Sequence, residues 1–117
     1  MRIRRLRSSP LRLLVSDQAK ALLSPFRSYV LLTIHQQAIA ELGSTLESAQ
    51  VSAWSHPDEP GDPILLLTVI ADADRSELNR ARKVILAEIA EAALRWTDSQ
   101  RNDYSEKIYF ELGTAKR

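Results

Sequence analysis

Hydrophobic positions along the chain switch between two periods, and the switches mark the elements. From 64 to 71 every residue except Thr68 is apolar, a run too continuous for a strand with one wet side and expected of a strand buried on both faces. Asp74 stands three residues before Glu77, the spacing at which an N-cap carboxylate and an N3 carboxylate each accept a backbone N–H of a helix's first turn. Leu78, Ala81, Ile85, Ile89, Ala92 and Trp96 then recur at helical spacing, while Arg82, Lys83, Glu88, Glu91 and Arg95 fall largely elsewhere on the wheel. The pattern predicts an amphipathic helix over 75–96. At ~1.5 Å per residue such a helix would be about 33 Å long and would overrun an eight-residue strand of about 26 Å.

Upstream, Leu31, Ile34, Ala38, Ile39 and Leu42 form the buried stripe of another helix, with Gln36, Gln37 and Glu41 on its wet side and Gly43 as its C-terminal cap. A shorter helix is expected from 17 to about 24, ended by Pro25. Over 45–55 the period falls to two: Ala49, Val51 and Ala53 share one face, and Ser48, Gln50 and Ser52 the other, which predicts a half-exposed strand. Three prolines and a glycine within 56–63 then mark a tight connection, so the strands on either side form a hairpin. Residues 98–105 read as polar loop. Ile108, Phe110 and Leu112 alternate with Lys107, Tyr109 and Glu111, the pattern of a last, one-sided strand.

The expected fold is α+β, a single domain of order α-β-β-α-β. Its three-stranded sheet comprises the β-hairpin and a third strand after the long crossover helix, packed by two main helices. Strand 64–71 belongs in the middle on account of its two apolar faces, with the half-polar strands at the edges. If the last two strands are parallel neighbours, their crossover should be right-handed. Residues 1–16 read as a basic N-terminal arm and 17–117 as the domain.

Length and composition narrow the function classes. A chain of 117 residues is one domain, able to bury about two-thirds of its unfolded surface without staples. The absence of cysteine excludes disulfides, thiolate catalysis and cysteine-based zinc sites, and leads us to expect a cytoplasmic protein. No apolar run approaches the ~20 residues of a membrane span, and the basic start lacks the apolar core of a signal peptide. No membrane association is expected.

Charge changes the picture at one end. Residues 1–27 hold Arg2, Arg4, Arg5, Arg7, Arg12, Lys20 and Arg27 against Asp17, a net of +6 within a chain whose total is +1, leaving −5 for the remainder. Arginines strung along an arm can neutralise phosphates. Arg2, Arg4, Arg5, Arg7 and Arg12 are therefore candidates for nucleic-acid contact, although the arm lacks an aromatic residue for base stacking. The alternative is a solvated tail.

Candidate chemistry is sparse. Asp72 and Asp74 fall at the C-terminal end of the apolar strand, where α/β enzymes place metal-binding carboxylates, so a small metal-dependent enzyme is one expectation. A helix cap already accounts for Asp74, and no third carboxylate, glycine loop or lysine joins the pair. His35 sits at helical spacing with Ile39 and Leu42 and reads as a partly buried structural histidine. His56 lies beside Asp58, Glu59 and Asp62 in what is most simply a solvated hairpin tip. No nucleophile has an adjacent base, and no pattern calls for a cofactor.

More informative is a surplus of apolar surface. Two helices on one side of the sheet would leave Ile64, Leu66 and Ile70 without cover unless the helices lie on opposite faces or 11–15 folds back over them. Trp54 and Tyr109 are out of step with the core positions of their strands, as amphipathic aromatics at interfaces often are. The expected function is thus a small non-enzymatic protein-interaction module: a homo-oligomer such as a homodimer, or the regulatory subunit of a two-protein, antitoxin-like system. Its interface is expected at Trp54, Leu66, Ile70, Trp96 and Tyr109.

Overall fold

The two periodicities become regular elements in the computed structural model, which describes residues 12–58 and 61–115. In chain order these are β1 (Leu13–Val15), α1 (Asp17–Lys20), α2 (Pro25–Leu42), a single 3-10 turn (Gly43–Thr45), β2 (Leu46–Trp54), β3 (Ile64–Ala71), α3 (Arg75–Ala93), α4 (Asp98–Lys107) and β4 (Ile108–Thr114). The chain forms a single α+β domain.

Each helix begins where a side chain takes up a free amide. Ser24 Oγ accepts from Arg27 N at 3.1 Å, and Pro25 occupies the first turn, where its missing N–H costs nothing. The proline expected to end one helix therefore opens the next. Asp74 and Glu77 form the capping box read from their spacing.

Three helical expectations need correction. The first helix closes at Lys20 and not near 24. The long helix stops at Ala93, so α3 has 19 residues, about 28 Å at ~1.5 Å each, only slightly longer than the eight-residue β3 at about 26 Å. Residues 98–105, expected as loop, belong to α4. Thr97 and Gln100 form a second capping box there, a signal present in the sequence but masked by a segment that is polar all round.

The sheet has four strands in the order β1-β2-β3-β4, not three. β2 and β3 are the antiparallel hairpin, and β3 and β4 are parallel neighbours joined through α3 and α4. The added strand is β1, parallel to β2 with Leu13 opposite Ala49 and Val15 opposite Val51. It moves β2 from the expected edge into the interior. It also places 13–15, counted with the basic arm, inside the domain.

Burial along β3 alternates residue by residue. Leu65, Leu67, Val69 and Ala71 are fully buried and join Ala49 and Val51 of β2 in one cluster with Val30, Leu31 and Ile34 of α2 and Ile85 and Ile89 of α3. Ile64, Leu66, Thr68 and Ile70 are only partly buried. The expectation of a strand covered on both faces is thus corrected: α2 and α3 pack beside each other on the same face, and β1 extends the sheet edgewise instead of folding over the other face. His35 is 5% exposed among the core residues of α2.

Candidate functional site

The uncovered face is built by strand alternation. Because β2 from Ser48 onward, β3 and β4 are in continuous register, their outward residues fall into rows: Trp54 beside Ile64, then Ser52, Leu66 and Tyr109, then Gln50, Thr68 and Glu111, then Ser48, Ile70 and Gly113. Leu14 of β1 joins the third row opposite Gln50. Apolar groups concentrate toward the hairpin end. There Trp54, Ile64, Leu66, Tyr109 and Glu111 line a shallow concavity of ≈ 590 Å³.

Specific contacts hold parts of this face. The indole of Trp54 meets the His56 ring edge-on, with centroids 5.8 Å apart, and His56 Nδ1 accepts the amide of Asp58 at 3.1 Å. Thr68 Oγ1 donates to Glu111 Oε2 at 3.3 Å across β3 and β4, which fixes a polar row beside the apolar one. At Gly113 a Cβ would come within 3.1 Å of Ile70 Cδ1, so the glycine leaves room for Ile70 to lean toward β4.

Leu14, Trp54 and Tyr109 keep 55%, 45% and 50% of their surface in water. The titratable groups that line the concavity are Tyr109 and Glu111. Its apolar floor is rimmed by amphipathic aromatics and a carboxylate.

Of the five interface residues expected from sequence, Trp54, Leu66, Ile70 and Tyr109 share this face. Trp96 does not join them. It is 9% exposed and lies in the helical layer, edge-on to Phe26 at 5.0 Å and to Tyr104 at 5.6 Å. Leu14 and Glu111 belong to the same face without a signal in the sequence, because a three-residue strand shows no period and a glutamate in an alternating strand reads as solvated.

The other candidates are dispersed. Asp74 Oδ1 accepts Glu77 N at 2.9 Å, and Glu77 Oε1 accepts Asp74 N at 3.0 Å, so this carboxylate is occupied as a cap. Asp72 is exposed, and its amide donates to Thr45 O at 2.7 Å. Among the described residues no group of three His, Asp or Glu is placed to hold a metal ion. Arg12 is exposed at the start of β1; Arg2, Arg4, Arg5 and Arg7 lie outside the described residues, as does Glu59. Elsewhere, Arg75, Arg80 and Lys83 line a polar depression with Ser76 and Asn79 along the first turns of α3.

Comparison with protein-family models, curated proteins and solved structures gives no significant match. Among the described residues no helix is long and apolar enough to cross a membrane. The open face of the sheet is the candidate site.

Proposed function

We propose that the chain is a small, non-enzymatic protein-interaction module of a reducing, cytoplasmic compartment, and that the open sheet face receives a protein partner. It acts as a homodimer or as the regulatory subunit of a two-protein, antitoxin-like system. The observation that carries this proposal is the gathering of Trp54, Leu66 and Tyr109 beside Ile64 on a face that no element among the described residues covers. Each half-exposed aromatic still offers on the order of 100 Å² to a partner, about 2.5 kcal/mol of burial at ~25 cal/mol per Å². Leu66 and Ile70 supply the aliphatic centre of the contact.

One observation favours a nucleic-acid reading as the second choice. Arg75, Arg80 and Lys83 share one depression and form no ion pair among the described residues, so phosphates could be met there as well as by Arg12. A metal-dependent enzyme at Asp72 and Asp74 has less support, since Asp74 is committed to its helix.

Leu66→Glu tests the first choice. The charge should abolish association with a second copy or a co-expressed partner by well over tenfold in Kd while the circular dichroism spectrum stays native, because Leu66 lies outside the buried cluster. Association that survives Leu66→Glu and Ile70→Glu alike would remove this face from consideration. Salt-dependent DNA or RNA binding, lost on replacing Arg75, Arg80 and Lys83, would favour the second choice.

A further inference from the structure

We propose that two copies of this chain pair through the outer edge of β4, the strands running antiparallel about a two-fold axis at Phe110 and joining two four-stranded sheets into one of eight strands. This rests on the interaction reading above for the kind of partner, but uses a different surface, the rim of the sheet instead of its open face.

The backbone pattern of β4 points there. Among the described residues β4 is the last strand of the sheet, and it pairs in parallel with β3 along its length, Leu65 opposite Ile108 through Ala71 opposite Thr114. Just past it, the amide of Ala115 donates to Ala71 O at 2.9 Å. In a parallel ladder alternate residues bond to the neighbour, so the backbone groups of Tyr109, Glu111 and Gly113 face β3 in step with Ala115. Those of Phe110 and Leu112, and the carbonyl of Ile108, then face outward. The amide of Ile108 fits this phase, for it donates to Tyr104 O at the end of α4.

Sheet edges invite strand addition unless blunted by proline, a bulge, an inward charge or extreme shortness. The β1 edge is three residues long. β4 has seven, no proline, no shift in its pairing with β3, and its single charge, Glu111, on the open face.

The edge is also complementary to itself. With Phe110 opposite Phe110 of the second copy, the two Phe110 residues exchange amide and carbonyl as a hydrogen-bonded pair, and Leu112 N–H faces the carbonyl of Ile108 of the second copy. Between them Tyr109 stands opposite Glu111 of the second copy on the open face, which places a phenol beside a carboxylate and sets no like charges opposite. Centring the pair on Glu111 would pair Phe110 with Leu112 of the second copy through their outward groups, but would set two carboxylates directly opposite each other. An isologous contact needs this kind of self-match.

The helical layer continues the same rim. The Arg82 guanidinium lies 5.6 Å above the Phe110 ring, and Leu86, one turn along that side of α3, is 45% exposed. An apolar side chain thus flanks the strand edge where a second copy would come alongside.

The chain has no cysteine, so disulfide trapping reads the register directly. Non-hydrogen-bonded antiparallel partners stand ~4.5 Å apart at Cα, within the ~4.4–6.8 Å a disulfide spans. We expect the wild-type chain to scatter light as a dimer, and a mixture of Tyr109→Cys and Glu111→Cys chains to give a disulfide-linked heterodimer on mild oxidation that neither variant gives alone. On the wild-type chain, the amides of Phe110 and Leu112 should be protected from hydrogen exchange at high concentration and lose that protection at least tenfold on dilution to monomer. A folded wild-type monomer at high concentration would overturn the proposal, as would exchange at Phe110 and Leu112 that is independent of concentration. A dimer that fails to cross-link in the mixture and is dissociated by Leu66→Glu would also overturn it, while leaving the open-face reading in place.

Discussion

The Arg27 guanidinium holds the Asp103 carboxylate in a two-point fork, Nε to Oδ2 at 2.9 Å and Nη2 to Oδ1 at 2.7 Å. Its Nη1 donates at the same time to Leu22 O at 2.8 Å. One side chain thereby ties the start of α2 to α4 and to the turn before α2. Its neighbour Phe26 meets Trp96, and Trp96 meets Tyr104, so an ionic clamp and an aromatic cluster close the same seam. The phenol of Tyr104 is pushed above its ordinary pKa by burial there.

Removing the clamp should loosen the seam. The two side chains are 21% and 28% exposed, so the pair is sheltered enough to matter, and Arg27→Met should cost about 1–3 kcal/mol because a carboxylate and a carbonyl lose charge-assisted partners. Urea denaturation checks this. Lys20→Met is the control: its pairing with Asp17 at 3.8 Å is largely in water and should change stability little.

The same pair sets a pH dependence. The hydrogen bonds from Arg27 hold the Asp103 carboxyl below its ordinary value of 3.8, against a smaller opposing effect of burial. A carboxyl lowered in the folded state binds fewer protons than in the unfolded state, so stability rises with pH between the two values. The stability difference between wild type and Asp103→Asn should be level from neutral pH down to about pH 5 and shrink as the pH drops through 3.8 toward the folded-state value. A difference that grew on acidification would contradict the lowered value.

Trp96 and Tyr109 should respond in opposite ways. Trp96→Ala empties a buried aromatic site and should destabilise the fold by about 3–5 kcal/mol. Tyr109→Ala, at a position 50% exposed, should change stability by under about 1 kcal/mol and act on association instead. Thermal melts separate the two. With Trp96 replaced, the remaining tryptophan fluorescence should come from Trp54 and be red-shifted.

Asp74→Ala removes one arm of the capping box and should cost about 0.5–2 kcal/mol, whereas Asp72→Asn should cost little. Titration calorimetry with magnesium, manganese or calcium should give no heat in either variant or in the wild type. A sub-millimolar affinity lost in both variants would revive the metal-site reading.

Local structure was legible in the residues themselves. Strand 64–71, the alternation of 108–112, the hairpin across 56–63 and the Asp74 cap follow from side-chain period and from hydrogen bonds made within a few residues, so the sequence alone determined them. It also placed Leu66 and Ile70 together with Ile64, since residues two apart in a strand share a face.

What only the tertiary structure decided is which surfaces meet. Both faces of Ile64–Ala71 are apolar, and its own period does not say which one the helices cover; strand pairing decided it, because the Leu65, Leu67 and Val69 face is shared with Ala49, Val51 and Ile108, whereas the other is shared with Ser48, Gln50 and Ser52. Leu13–Val15 became a strand because β2 offered an open edge, a partner that three residues cannot announce. Residues 98–107 became a helix despite a polar surface all round because the Thr97 cap starts it and Arg27, far away in sequence, anchors it through Asp103. Trp96 went to the core for the same kind of reason: Phe26 and Tyr104 close around it, and contacts between residues remote in sequence leave no period to read.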